Sequence, residues 1–400
     1  MKLSRSIFAI LAIAIIVGGF LVWRLNQKDS LPGFVEVSPG ALPFSLPKDF
    51  AIDIVARDLI NPRVIAFDSQ GRVFVSETSA GRVTLVEPRR TILEGLDQPH
   101  GIAFYENYLY VATVREVARY PYDVATATVD VAQKKNIADL PAGDLHSTRT
   151  IGFGKNFRAQ SIINNRDFNT LAPEKLYISV GSSCDACLES TWKYGAILES
   201  DPDGTFTAEV AGGLRNSVFF TFHPKTGELW ATEMGRDGLG DDLPPDEINI
   251  IKVGAKYGWP YCYGYQVRDE TFTEESDRSD LTMDCSKTLP PIISLPAHVA
   301  PLGIAFVPDS WPKPWRGRLL VAYHGSLNLS EPVGYRIDWF DVDEHGRSKD
   351  AGVLMDGFLK DSDHIYGRPV DLKFGPDGSL YISDDTAGVI YKVVTQASSQ

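Results

Sequence analysis

The chain has 400 residues, enough for two ordinary domains or one large repeat fold. At 44% apolar and 11% aromatic it can bury a large core, which excludes a disordered chain. A net charge of −13 leaves no basic stripe to neutralise phosphates, which argues against nucleic acid and says little about a neutral substrate such as a sugar.

Residues 1–25 differ from the rest. Lys2 and Arg5 precede an apolar run over 7–23, and Arg24 ends it. Such a run is a secretory signal or an uncleaved membrane anchor, and the lack of an Ala-x-Ala site after it favours the transmembrane anchor. The N-terminal positive charges hold that end in the cytoplasm, so the folded part is expected in a bacterial periplasm, or secreted if the segment is cleaved. Residues 26–46 are polar and contain Pro, and read as a linker. The folded domain is expected over 47–395.

From residue 60 onward one pattern recurs: an apolar strand ending in Phe, a turn, then a strand of aromatic and β-branched residues. It appears as VIAFDSQGRVFVSET (64–78), GIAFYENYLYVATV (101–114), TIGFGKN with KLYISVGSS (150–183), FFTFHPKTGELWATEM (219–234), GIAFVPDSWPKPWRGRLLVAYHG (303–325) and DLKFGPDGSLYISDD (371–385). Period-two alternation around Gly turns marks antiparallel hairpins. Six unequally spaced copies predict an all-β, six-bladed β-propeller with blade-specific insertions. FAIDIVA (50–56) has no hairpin partner nearby and is expected to join the blade ending in VIYKVV (389–394), removing a free sheet edge.

Two cysteines lie in GSSCDAC and two flank a polar insertion. Two disulfides fit an oxidising compartment, with Cys262–Cys285 the safer pair; a zinc site and a redox-active CxxC are the competing readings. Residues 212–264 hold two strand-like runs, an acidic Gly-rich loop over 235–247, and the elbow YGWPYCYG. Loops of that length in compact domains are often functional. Asp237, Asp241, Asp242, Asp246 and Glu247 in that loop read as solvated charges, with an ion site as the alternative.

In a propeller the segments before the inner strands converge on one mouth. His146 stands there in the third unit, Arg215 and Asn216 in the fourth, and Arg368 in the sixth. A histidine suits a general base, and arginines suit a ligand carrying several carboxylates. His100, His298 and Gln98 hold pre-strand positions in other units, and Arg149 lies on the strand after His146.

The strings LRN, EMG with its acidic loop, DEIN, YGWPYCYG and GRPVDLKFGPDGSLYISDD together resemble the PQQ-dependent sugar dehydrogenases, the sorbosone, pyranose and soluble aldose quinoproteins. The resemblance spans about residues 47–395. It implies a calcium-dependent quinoprotein propeller that oxidises an aldose or a sugar-derived aldehyde or alcohol, and passes electrons to a quinone or cytochrome acceptor. By the same resemblance His146 is the base, Arg215, Asn216 and Arg368 bind pyrroloquinoline quinone (PQQ), and backbone carbonyls at Gly235 and Arg236 help hold calcium. His100, His298 and Gln98 fall on motifs of the sorbosone-type branch as cofactor or substrate contacts. The chain departs from the pattern where Leu327 and Leu329 replace a Trp and a basic residue. A calcium-dependent lactonase and a non-catalytic sugar- or protein-binding propeller are the rival readings. No Rossmann fingerprint or P-loop is present.

Overall fold

Six antiparallel sheets, five of four strands and one of five, form the blades in chain order in a computed structural model that describes residues 34–36, 42–142, 145–158, 174–273, 284–326, 329–343, 345–362 and 364–396. Blade one is Pro62–Phe67, Val73–Glu77, Arg82–Leu85 and Arg90–Leu93. Blade two starts with Ile102–Tyr105, Tyr108–Ala112 and Glu116–Asp123, and both Thr128–Val129 and Lys135–Asp139 pair with its third strand. Blade three is Ile151–Lys155, Glu174–Val180, Ala196–Ser200 and Thr207–Gly212. Blade four is Phe220–Phe222, Leu229–Glu233, Glu247–Ile251 and the short outer strand Ile293–Ser294. Blade five is Pro301–Phe306, Leu319–Tyr323, Arg336–Val342 and Ser348–Met355. Blade six is Pro369–Phe374, Leu380–Asp384 and Val389–Thr395, completed by Phe50–Ala56. That last pairing runs antiparallel from Phe50 opposite Thr395 to Ala56 opposite Ile390, as FAIDIVA led us to expect.

The recurring Phe is an inter-blade contact. Each of the six rings packs on an aromatic ring of the preceding blade: Phe67 on Tyr381, Phe104 on Phe74, Phe153 on Tyr110, Phe222 on Tyr177, Phe306 on Trp230 and Phe374 on Trp311, with centroids 4.9–5.6 Å apart. Five of the partners sit at the same point of the second strand. Blade five has Leu320 there, and its longer first turn supplies Trp311 instead. Three of the turns after the inner strands are held by a side chain each: Asp68 Oδ1 accepts from the Gln70 and Arg72 amides, His223 Nδ1 from Lys225 and Thr226, and Asp377 Oδ1 from Ser379. Gly303 has no room for a side chain, because a Cβ there would lie 2.5 Å from the Val370 carbonyl of the next inner strand.

Two expectations change. The described part of the expected linker 26–46 belongs to the fold: Phe44 and Leu46 are each 1% exposed, and Ser45–Pro47 pairs with Phe34–Glu36. Phe44 packs on Phe358 and Tyr391 at 4.5 and 5.0 Å, so core packing begins before residue 47. Asp246 and Glu247 are not solvated loop charges; they are 2% and 7% exposed, where the loop turns into a blade-four strand. The expected anchor over 1–25 lies outside the described residues, and among those described no helix is long and apolar enough to cross a membrane. Cys184–Cys187 and Cys262–Cys285 are both disulfides and no free cysteine remains, which removes the zinc reading.

Candidate functional site

Buried carboxylates at the ends of second strands shape the mouth. Glu233 accepts the amides of Arg215 and Asn216, each at 2.7 Å, and the Ser217 hydroxyl. Asp384 accepts the Arg368 amide at 2.9 Å, and Glu77 accepts the Ile60 amide at 2.7 Å. Each carboxylate satisfies backbone donors that enter an inner strand, so the side chains of those segments are held at fixed points.

A cavity of about 460 Å³ opens where these segments meet. His146 lines it from blade three, Arg215, Asn216 and Gly235 from blade four, His298 and His324 from blade five, and Arg368 from blade six. Four units therefore supply the sequence-predicted residues to one cavity. Gln98, His100 and Arg236 are not among its lining residues. Gln98 is exposed and accepts from the Ser147 hydroxyl at 3.4 Å. His100 is fully buried beside Phe219, with Arg63 Nε at 3.5 Å and Thr150 Oγ1 at 3.4 Å. The Arg236 side chain turns away to Asp269, 2.8 Å distant.

His146 is the group best prepared for proton transfer. Its Nδ1 lies 2.8 Å from Ser182 Oγ, and Ser182 Oγ lies 2.6 Å from the Cys184 carbonyl. A hydroxyl has one proton, and the carbonyl takes it. Nδ1 must then be the donor to Ser182, which leaves the Nε2 lone pair unprotonated. Burial first, and the Arg215 charge second, push the imidazole down to about 3, so it is neutral across the physiological range. Gly181 makes the close approach possible: a Cβ there would lie 2.5 Å from His146 Cβ and 2.7 Å from Asn216 Oδ1.

The cations differ in how they are held. Arg215, 5% exposed, donates from Nη2 to Asp185 Oδ1 at 2.6 Å and from Nε to the Asp185 carbonyl at 3.0 Å. Arg368 donates from Nε to the His324 carbonyl at 2.9 Å and from Nη2 to the Gly325 carbonyl. Arg149, 0% exposed, donates to the carbonyls of His146, Thr148 and Pro141, so it supports the His146 segment from behind. Asn216 Oδ1 is buried with no hydrogen-bond partner.

Sequence reasoning missed Arg63 and Asp385. Arg63 Nη1 contacts Asp385 Oδ2 at 2.5 Å, and His324 Nε2 lies 3.0 and 3.1 Å from the two Asp385 oxygens. Burial alone would raise the Asp385 carboxyl, but His324 and Arg63 hold it well below the usual range. Burial pushes His324 down to about 4. A signal for Arg63 existed: it stands four residues before its strand's Phe, as do His100 and Arg149. Asp246 was also misjudged. It lines the cavity, accepts the Gly235 and Ala300 amides at 2.8 and 2.9 Å, and is pushed up to about 7 by burial.

The chain is 33% identical over 363 residues to an uncharacterized protein of Borreliella burgdorferi, covering 87% of this chain and 90% of that one. It is 23% identical to the pyrroloquinoline quinone-dependent sugar dehydrogenase of Hypocrea jecorina, over 84% of this chain and 86% of the relative. The calcium structure of the Trichoderma reesei Carbohydrate-Active Enzymes Family AA12 protein superposes with a TM-score of 0.72 at 21% identity, covering 90% of this chain and 99% of that one. The model of the TrAA12-like family matches residues 44–396, nearly the whole propeller, and the chain belongs to that family.

Proposed function

We propose that the protein is a quinoprotein dehydrogenase that binds PQQ in the mouth, with calcium, and oxidises a sugar or a sugar-derived aldehyde or alcohol. One observation carries the reading: a neutral histidine with a free Nε2 shares a single cavity with Arg215 and Arg368. The relative named for PQQ-dependent sugar oxidation supports the cofactor class. The residues present fit such a group. Two guanidinium groups suit a tricarboxylate, and the orphaned Asn216 Oδ1 has an unmet hydrogen bond that a bound ligand would satisfy. PQQ, when bound, supplies the two-electron acceptor. The chain's own part is to orient the ligand with Arg215, Asn216 and Arg368, and to take the substrate hydroxyl proton on His146 Nε2.

Calcium is proposed at backbone oxygens of Gly235 and Arg236 rather than at side chains. Among the described residues the only convergent group of three potential ligands includes the disulfide-bonded Cys184 and Cys187. A hard cation accepts carbonyl oxygens readily. The same observation disfavours the lactonase reading, which needs carboxylates from several blades around one ion. Leu329, an apolar side chain in the cavity, is what favours a non-catalytic binding propeller as the second reading. The two disulfides fit an oxidising, extracytoplasmic compartment. The anchor over 1–25 and a quinone or cytochrome acceptor complete the proposal.

Titrating PQQ into the full chain by calorimetry tests it. Saturable binding is expected, and Arg368→Ala is expected to weaken it by about 1.5–3 kcal/mol, roughly 10–100-fold, the range for a hydrogen bond to a charged group. Chelating calcium is expected to weaken it further in the wild type. A folded protein that takes up no PQQ would leave the binding-module reading.

A further inference from the structure

The CDAC disulfide loop does more than staple the surface. Ser182 Oγ links His146 Nδ1 to the Cys184 carbonyl. One residue on, Asp185 binds Arg215 twice, through its carbonyl at 3.0 Å and its carboxylate at 2.6 Å. The same carboxylate oxygen accepts the Asp237 amide at 3.0 Å, where the acidic loop begins, and the Asp185 carbonyl accepts Trp259 Nε1 at 3.1 Å. The stem of the loop is tied down by Glu189, which accepts the Ser183 amide at 2.7 Å and its hydroxyl at 2.8 Å. Four consecutive residues, 182–185, thus contact the base, a cation and the start of the acidic loop, which belong to two different blades.

We propose that the ring closed by Cys184–Cys187 sets His146 and Arg215 relative to one another, with Ser182 and Asp185 as positioning residues. The two carbonyls that do this work are adjacent in a loop of four residues. A loop that short, without regular structure of its own, samples many backbone conformations unless cross-linked. The arrangement with the bridge closed presents the Cys184 carbonyl to Ser182 and the Asp185 carbonyl to Arg215 together. The bridge removes the alternatives before any ligand arrives, and that is pre-organisation. The catalytic meaning rests on the quinoprotein reading; the positioning itself does not.

The test therefore reads the ligand-free full chain first. Protein labelled with 15N at histidine has seven imidazoles, and His146→Gln identifies the one that matters. The wild type is expected to show His146 as a single Nδ1–H tautomer. Ser182→Ala, and separately the double variant Cys184→Ser with Cys187→Ser, are expected to give a mixture of tautomers. The double variant Cys262→Ser with Cys285→Ser, which removes the other bridge, is expected to leave His146 unchanged. A second arm measures PQQ affinity, expected to fall about tenfold in the Cys184/Cys187 variant through lost pre-organisation of Arg215. An unchanged His146 tautomer overturns the proposal, whether in the folded Cys184/Cys187 variant or in folded Ser182→Ala, and the latter is still read if the former fails to fold. Failure of wild-type PQQ binding overturns the quinoprotein reading and leaves the tautomer result standing.

Discussion

His146→Ala in the PQQ-loaded protein is expected to lower kcat for sugar oxidation by about 100- to 10,000-fold, the usual worth of a positioned general base. PQQ affinity is expected to stay within about threefold, because the imidazole is neutral and contributes no charge to an anionic ligand. The pH profile separates this from a loss of fold. In the empty mouth burial and Arg215 hold His146 at about 3. A ligand bearing carboxylates offsets the Arg215 charge and raises that value toward the ordinary 6.5. The acid limb of kcat is therefore expected between these two values, with activity lost as pH falls through it, since an imidazolium cannot accept the hydroxyl proton. His324 is the rival base, being neutral, in the same cavity and oriented by Asp385. If His146→Ala keeps its rate and its acid limb while His324→Ala loses both, the assignment moves to His324.

Phe44→Ala is expected to destabilise the propeller by about 3–5 kcal/mol, the range for truncating a buried aromatic ring. The ring is 1% exposed and touches Phe358 and Tyr391, so truncation leaves a cavity between blades five and six. The urea midpoint of the purified protein measures it. Were the segment a solvated tether, the shift would stay within about 0.5 kcal/mol. The outcome distinguishes the two accounts of residues 42–46 without any cofactor.

The propeller was legible because its unit repeats a local pattern. A Phe near the end of each inner strand, and a Gly in four of the turns that follow, are visible without knowing what the Phe touches. Its partner was not visible, since Phe67 meets Tyr381 across the whole length of the chain. His146, Arg215, Asn216 and Arg368 were found because the pre-strand position maps to the mouth of any propeller. Arg63 was missed although it obeys a register of its own, because its partner Asp385 follows a second acid, Asp384, and nothing in the order of residues says which of the two meets Arg63 and His324. Asp246 looked solvated for a related reason. Its burial depends on the amides of Gly235 and Ala300, and the second of these lies 54 residues away. Phe44 was hidden by its neighbours: a short apolar pair among prolines carries no periodicity to mark it as core.

No covalent bond joins Phe50–Ala56 to Val389–Thr395; strand pairing and shared core packing do, so the ring is an open necklace fastened by a clasp. The clasp lies in blade six, which also carries Arg368 and Asp385. A ligand gripped by Arg368 on one side and Arg215 on the other bridges from blade six to blade four, and keeps the clasp shut from inside the mouth. By mass action, free ligand at a hundredfold over Kd adds about 2.7 kcal/mol against opening. Cofactor occupancy then becomes readable at the two ends of the chain. The empty protein is expected to lose its terminal strands to a protease sooner than the loaded one, although neither end comes from the segments proposed to hold the ligand.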